Sequence, residues 1–160
     1  MTYRIGRTQD SIVVPAGFVT DLASVPPRLH SIVTPLGPNM LPAIVHDYLY
    51  WTHGCKQAEA DRIFDLAMRE TRVTANDRKV IMTGLGIGAK AAFEQNARER
   101  RDGYTRVLPP AYRNIPRTLT WPQYRSELRS RRIPGGPEPQ VSTAFCAWGQ
   151  SARNPPGVPY

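Results

Sequence analysis

The sequence predicts a small α+β domain: short N-terminal antiparallel strands packed on a three-helix unit, followed by an extended Pro/Arg-rich arm. Three observations carry this. Brief apolar alternation with Gly and Pro breaks fills the first 20 residues, helical periodicity fills residues 42–99, and apolar periodicity is then lost except for a short helix over about Pro122–Arg132. At 160 residues, one ordinary core is affordable and two are not. The reading therefore divides the chain into a compact domain over 1–99 and a basic arm over 100–160.

The elements follow in order. Tyr3, Ile5, Ile12-Val13-Val14 and Phe18-Val19, separated by Gln9-Asp10-Ser11 and Pro15-Ala16-Gly17, read as two or three short strands. Thr20 to Pro27 contains paired prolines that forbid regular structure, with Asp21 and Ser24 placed to cap nearby amides, so an ordered loop is expected. Pro and Gly keep the chain irregular until Pro42, which suits a first helical turn. A helix over about Pro42–Thr52 gathers Leu41, Ile44, Val45 and Tyr48 on one face and Ala43, His46, Asp47 and Tyr50 on the other. The next, over about Gln57–Thr71, buries Ala60, Ile63, Phe64, Ala67 and Met68 and leaves Asp61 at the margin of that stripe. The short link between them predicts an αα-hairpin, which could carry Asp61 across to His46.

Thr74-Ala75-Asn76-Asp77 resembles a capping box and starts a third helix reaching about Glu99. Its Gly84, Gly86 and Gly88 are unfavourable in a helix and are most simply explained by close packing against another backbone. Lys90 lacks the strand and phosphate loop of a nucleotide site.

Charge divides the chain in the same place. The net +8 splits into +1 over residues 1–97 and +7 over 98–160, where all eleven cations are arginine, and ten of the sixteen prolines also lie in the second part. Arginines interleaved with Tyr112, Trp121 and Tyr124 suit an extended strap along a protein partner; nucleic-acid contact and a solubilising tail are the alternatives. Cys55 and Cys146 can form at most one bridge, which excludes a disulfide scaffold and leaves a reducing compartment as the default. No apolar stretch approaches the roughly 20 residues a bilayer requires, and no signal peptide is legible.

The chemistry concentrates on His46. A histidine oriented by one carboxylate can act as a general base, while a second carboxylate holds a metal ion or positions water. On this reading His46, Asp61 and Tyr50 form the catalytic group, Asp47 and Asp21 are metal ligands, and Thr20 and Ser24 belong to a loop over the site. The bland alternative is a hydrogen-bond network of His46, Asp47 and Asp21 fixing that loop to the hairpin. A Ser24 nucleophile lacks the strand-elbow-helix glycines, and His30, His53 and Cys55 match no closed zinc spacing.

Gly17-Phe18-Val19-Thr20-Asp21-Leu22-Ala23-Ser24-Val25-Pro26, then His46-Asp47-Tyr48-Leu49-Tyr50, then Ala60-Asp61-Arg62-Ile63-Phe64, resemble the signature of a phage and prophage family catalogued as domain of unknown function 1353, over about residues 12–95. The resemblance implies a tailed-phage setting: a virion protein of tail, baseplate or neck, made in the host cytoplasm and docked on other structural proteins in a symmetric assembly. A DNA-contacting neck or packaging protein is the further alternative. The hairpin alone is similar to that of secreted phospholipases A₂. That similarity implies that His46 activates water, Asp61 orients His46, and Asp47 binds calcium with backbone oxygens of Phe18–Ser24. The disulfides and glycine-rich calcium loop of those enzymes have no counterpart in the sequence pattern.

Overall fold

The computed structural model describes residues 1–20, 37–139 and 143–160. The expected loop with Asp21 and Ser24, the irregular stretch from Ser31, and His30 lie outside the described residues.

The α+β class is as the sequence predicts. Strands β1 (Thr2–Arg4) and β2 (Ser11–Val13) pair antiparallel with Tyr3 opposite Ile12. Their connection turns at Gly6, whose φ of 54° suits glycine and whose missing side chain admits the Pro156 carbonyl. Glu70 fastens this hairpin to the helices by accepting from the Tyr3 hydroxyl and, at 2.9 Å, from the Gly6 amide. The Tyr3 hydroxyl is pushed far above its ordinary pKa by burial and by that carboxylate.

Helix α1 (Met40–Thr52) and helix α2 (Gln57–Glu70) form the predicted hairpin, and α3 (Ala75–Arg101) returns along both. All five predicted α2 core residues are buried. Helix α1 departs from its expected two-faced pattern. Val45, Tyr48 and Leu49 are buried, but so are His46, Tyr50 and Trp51, while Leu41 is half exposed. A helix covered on both sides shows little amphipathic contrast, because strands, α2, α3 and the C-terminal segment all claim part of its circumference.

Helix α3 starts as expected, with Thr74 Oγ1 accepting from the Asp77 amide at 3.2 Å. Gly86 and Gly88 do not behave as expected. A Cβ at Gly86 or Gly88 would meet nothing within 4 Å, and neighbouring Ile87 is 89% exposed. No close backbone explains them, so Gly86→Ala and Gly88→Ala should each stabilise the protein by about 0.5–1 kcal/mol. Thermal melts of the two variants check this; a lowered midpoint in both would contradict the open environment.

The largest departure follows α3. The stretch expected to lie extended as an arm, apart from a short helix over about Pro122–Arg132, contains that helix as α4 (Trp121–Ser130) and, besides it, a 3-10 turn (Pro110–Tyr112) and α5 (Cys146–Gln150). Leu108, Tyr124 and Leu128 form a small core of their own, against which Val19, Tyr112 and Trp121 pack. Phe18 and Val107 form an antiparallel bridge, flanked by Val19 N–H to Arg106 O at 2.7 Å and Leu108 N–H to Gly17 O at 2.8 Å. Several arginines assigned to partners serve the chain itself. Arg125 pairs with Glu99 at 2.7 Å, Arg113 donates to Ala16 O at 3.0 Å, and Arg100 donates to Trp51 O at 3.1 Å and pairs with Glu138 at 2.9 Å. Single apolar residues between prolines have no periodicity to reveal them, yet each can fill a gap left by distant elements.

Cys55 and Cys146 are disulfide-bonded, which joins the α1–α2 link to α5 across 91 residues. The expected limit of one bridge holds, and the default of a reducing compartment loses its basis, because such bridges persist where conditions are oxidising. No helix among the described residues is long and apolar enough to cross a membrane.

Candidate functional site

His46 lies in the middle of α1, and Asp61 lies one turn into α2, where the hairpin brings the two helices side by side. His46 Nε2 stands 2.8 Å from Asp61 Oδ1. Tyr50, one turn after His46 and so on the same face, donates its hydroxyl to the same oxygen at 2.6 Å. Gln57 Nε2 donates to Asp61 Oδ2 at 3.2 Å. Both carboxylate oxygens are thus engaged. His46 is 5% exposed, with its ring stacked on Phe64 at 4.7 Å between centroids and tilted against Tyr50 at 4.1 Å.

The electrostatics follow from these contacts. Burial alone would raise the Asp61 pKa, but hydrogen bonds from His46 and Tyr50, the charge of His46 and the Gln57 amide outweigh it and hold the carboxyl below its ordinary range. Asp61 is therefore an anion wherever the protein is folded near neutrality. The Tyr50 hydroxyl is pushed far upward by burial and by Asp61, so it remains a donor. A buried imidazole with Nε2 aimed at a carboxylate is fixed in orientation, and Nδ1 then carries the lone pair of the neutral ring.

Asp47 faces another direction. Its Oδ2 accepts from the Thr20 hydroxyl. The bridge between residues 17–19 and 106–108 sets Thr20 in place, so the segment after α3 helps build the surroundings of α1. Calcium takes six to eight oxygen ligands. Asp47 offers one carboxylate, partly engaged, and Asp21 lies outside the described residues. Among the described residues the only group of three or more metal-ligating side chains is Cys55, Glu59 and Cys146, whose sulfurs are bonded to each other.

The structure brings together His46, Asp61 and Tyr50, an approach that the sequence left possible. Sequence reasoning missed Gln57, although the i,i+4 spacing to Asp61 at the start of α2 is a legible signal. It took Phe64 only as core, where it is also the stacking surface of His46. His53, considered for zinc, instead caps α1 in a left-handed conformation (φ 54°), with its Nε2 2.9 Å from Phe93 O and its ring against Phe93.

Together these features define a class: a small α+β domain whose antiparallel helix pair holds a His-Asp-Tyr group with its His and Tyr buried and its Asp partly exposed. Residues 1–85, more than half of the chain, match the family described as protein of unknown function (DUF1353), and the chain belongs to that family. No curated protein and no solved structure matches the chain.

Proposed function

We propose that the protein is a virion-associated hydrolase of a tailed phage or prophage, acting on an ester or amide of the host envelope. The observation that carries the chemistry is the 2.8 Å contact between His46 Nε2 and Asp61 Oδ1, secured by Tyr50. The phage setting rests on the resemblance of the three motifs. In this reading neutral His46 takes a proton from water at Nδ1 while hydroxide adds to the substrate carbonyl. Asp61 stabilises the imidazolium through Nε2–H. Collapse of the tetrahedral adduct breaks the bond to the leaving group, which receives the proton from Nδ1. General-base assistance of this kind contributes about 10²–10⁴-fold in rate. No step is assigned to a metal. Exposed Arg117 and Arg132 remain available for docking on neighbouring virion subunits.

The alternative, a purely structural phage protein, is favoured by the Thr20–Asp47 hydrogen bond, which ties the N-terminal segment to α1. Hydrolysis of phospholipid vesicles and of peptidoglycan by wild type and His46→Ala separates the two. Wild-type turnover that drops on the order of a hundredfold in the variant supports the enzyme; equal rates reject it. The same assay with calcium and with a chelator, repeated for Asp47→Asn, tests the ion expected from the sequence.

A further inference from the structure

We propose that the groove between α2 and α3, beside Asp61, binds the anionic group of the substrate, a phosphate or its monoester or diester. This rests on the hydrolase reading for its meaning, but the binding itself is independent of catalysis.

The groove arises from two helical stripes. Ala58, Asp61, Arg62, Asp65 and Arg69 recur every three or four residues on α2, and Ala75, Arg78, Lys79 and Met82 do so on α3. Small Ala58 and Ala75 stand where large side chains would close the space, leaving a cavity of about 490 Å³. Four cations against two carboxylates give its walls a formal charge of +2.

One carboxylate orders three guanidinium groups. Asp65 Oδ2 accepts from Arg62 Nη1 at 2.7 Å and from Arg69 Nε at 2.9 Å, and its Oδ1 lies 3.3 Å from Arg78 Nε. Arg62 also donates to Asn154 and Arg78 to Val73 O. Each guanidinium has five N–H donors, so these bonds orient the forks without exhausting them. Oriented, partly buried guanidinium groups suit the oxygens of phosphate, which accept several charge-assisted bonds at once. Lys79 is exposed and has no ion-pair partner among the described residues. It adds charge at the groove with no structural role to account for it. A cluster that served only to join α2 to α3 would need Asp65 and its arginines; it would not need Lys79.

Position makes the groove relevant to the site. Asp61 belongs to its wall and also orients His46, so an anion held along the cations lies next to the proposed base.

The test uses the whole protein and reads binding. Inorganic phosphate and glycerol 3-phosphate are titrated calorimetrically, and sedimentation with phosphatidylglycerol vesicles is measured in parallel. Wild type, Lys79→Glu, Lys79→Arg and Arg69→Gln are compared. Lys79→Glu and Arg69→Gln should weaken binding on the order of tenfold or more, and Lys79→Arg should bind as wild type does. This pattern with soluble phosphates supports the groove as a phosphate site. The same pattern with vesicles alone supports it and places the phosphate in a lipid headgroup. Absence of binding to either, or binding indifferent to Lys79→Glu, overturns the proposal. A catalytically silent protein that shows the pattern would reject the hydrolase while leaving the groove standing.

Discussion

Removing the Cys55–Cys146 bridge, by Cys146→Ser or by reductant, is expected to cost about 4.6 kcal/mol of stability, the chain-entropy value for a loop of this length. The bridge spans 91 residues, so the unfolded chain gains a large set of conformations when it is broken. The native state loses support as well. Helix α5 has five residues, too few to hold a helix by itself, and is kept in place by its packing on α2. Gly149 lies directly on Glu59, where an added Cβ would come within 2.6 Å of its backbone, and Gln150 donates to the Glu59 carboxylate at 2.8 Å. Phe145, 2% exposed, sits immediately before the bridge. For a chain of this size the midpoint should drop by roughly 10 °C. Thermal melts with and without reductant measure it, with Cys146→Ser as the variant that reductant no longer affects. Two titratable thiols in the untreated native protein, with a reductant-insensitive melt, would refute the prediction.

Asp61→Asn should lower both activity and acid-sensitive stability. The substitution keeps size and one acceptor but removes the charge that meets His46 Nε2 and the Tyr50 hydroxyl. Charge-assisted hydrogen bonds contribute about 1.5–3 kcal/mol, so a loss in that range is expected near neutral pH. Turnover on any substrate that depends on His46 should fall by about 10²-fold or more, because the base loses its orientation and its counter-charge together. The pH dependence carries a definite sign. The folded carboxyl lies below its unfolded value, so its contribution is present above about pH 4 and is lost as pH falls through the folded value. Wild type and Asp61→Asn should therefore differ most at neutrality and converge in acid. Glu99, also held low against its burial by Arg125, Gln95 and Arg106, stays in both proteins and does not disturb the comparison. Urea midpoints at several pH values measure the gap; a gap that widens in acid would contradict the arrangement of His46, Tyr50 and Asp61.

The parts of this molecule that were legible in sequence share one property: their determinants are close together along the chain. Ala60, Ile63, Phe64, Ala67 and Met68 announce the buried face of α2 because one helix presents them at its own period. Thr74 and Asp77 announce the start of α3 three residues apart. Even the approach of Asp61 to His46 was readable, since a short link forces two helices into antiparallel contact. The covering of α1 on both sides and the open surroundings of Gly86 and Gly88 were not readable. Both depend on which distant segments arrive at a given face, and no local period records that.

Residues 100–160 show the division most sharply. The amino-acid sequence by itself determined the α+β class and the helical hairpin, and put Asp61 within reach of His46, because side-chain periodicity and link length are local. Only the tertiary structure decided that Val107 bridges Phe18, that Cys146 reaches Cys55, and that Arg100, Arg113 and Arg125 bind their own chain. A lone apolar residue or arginine among prolines carries no pattern of its own. It gains a role from the gap or the charge that a remote part of the fold presents to it.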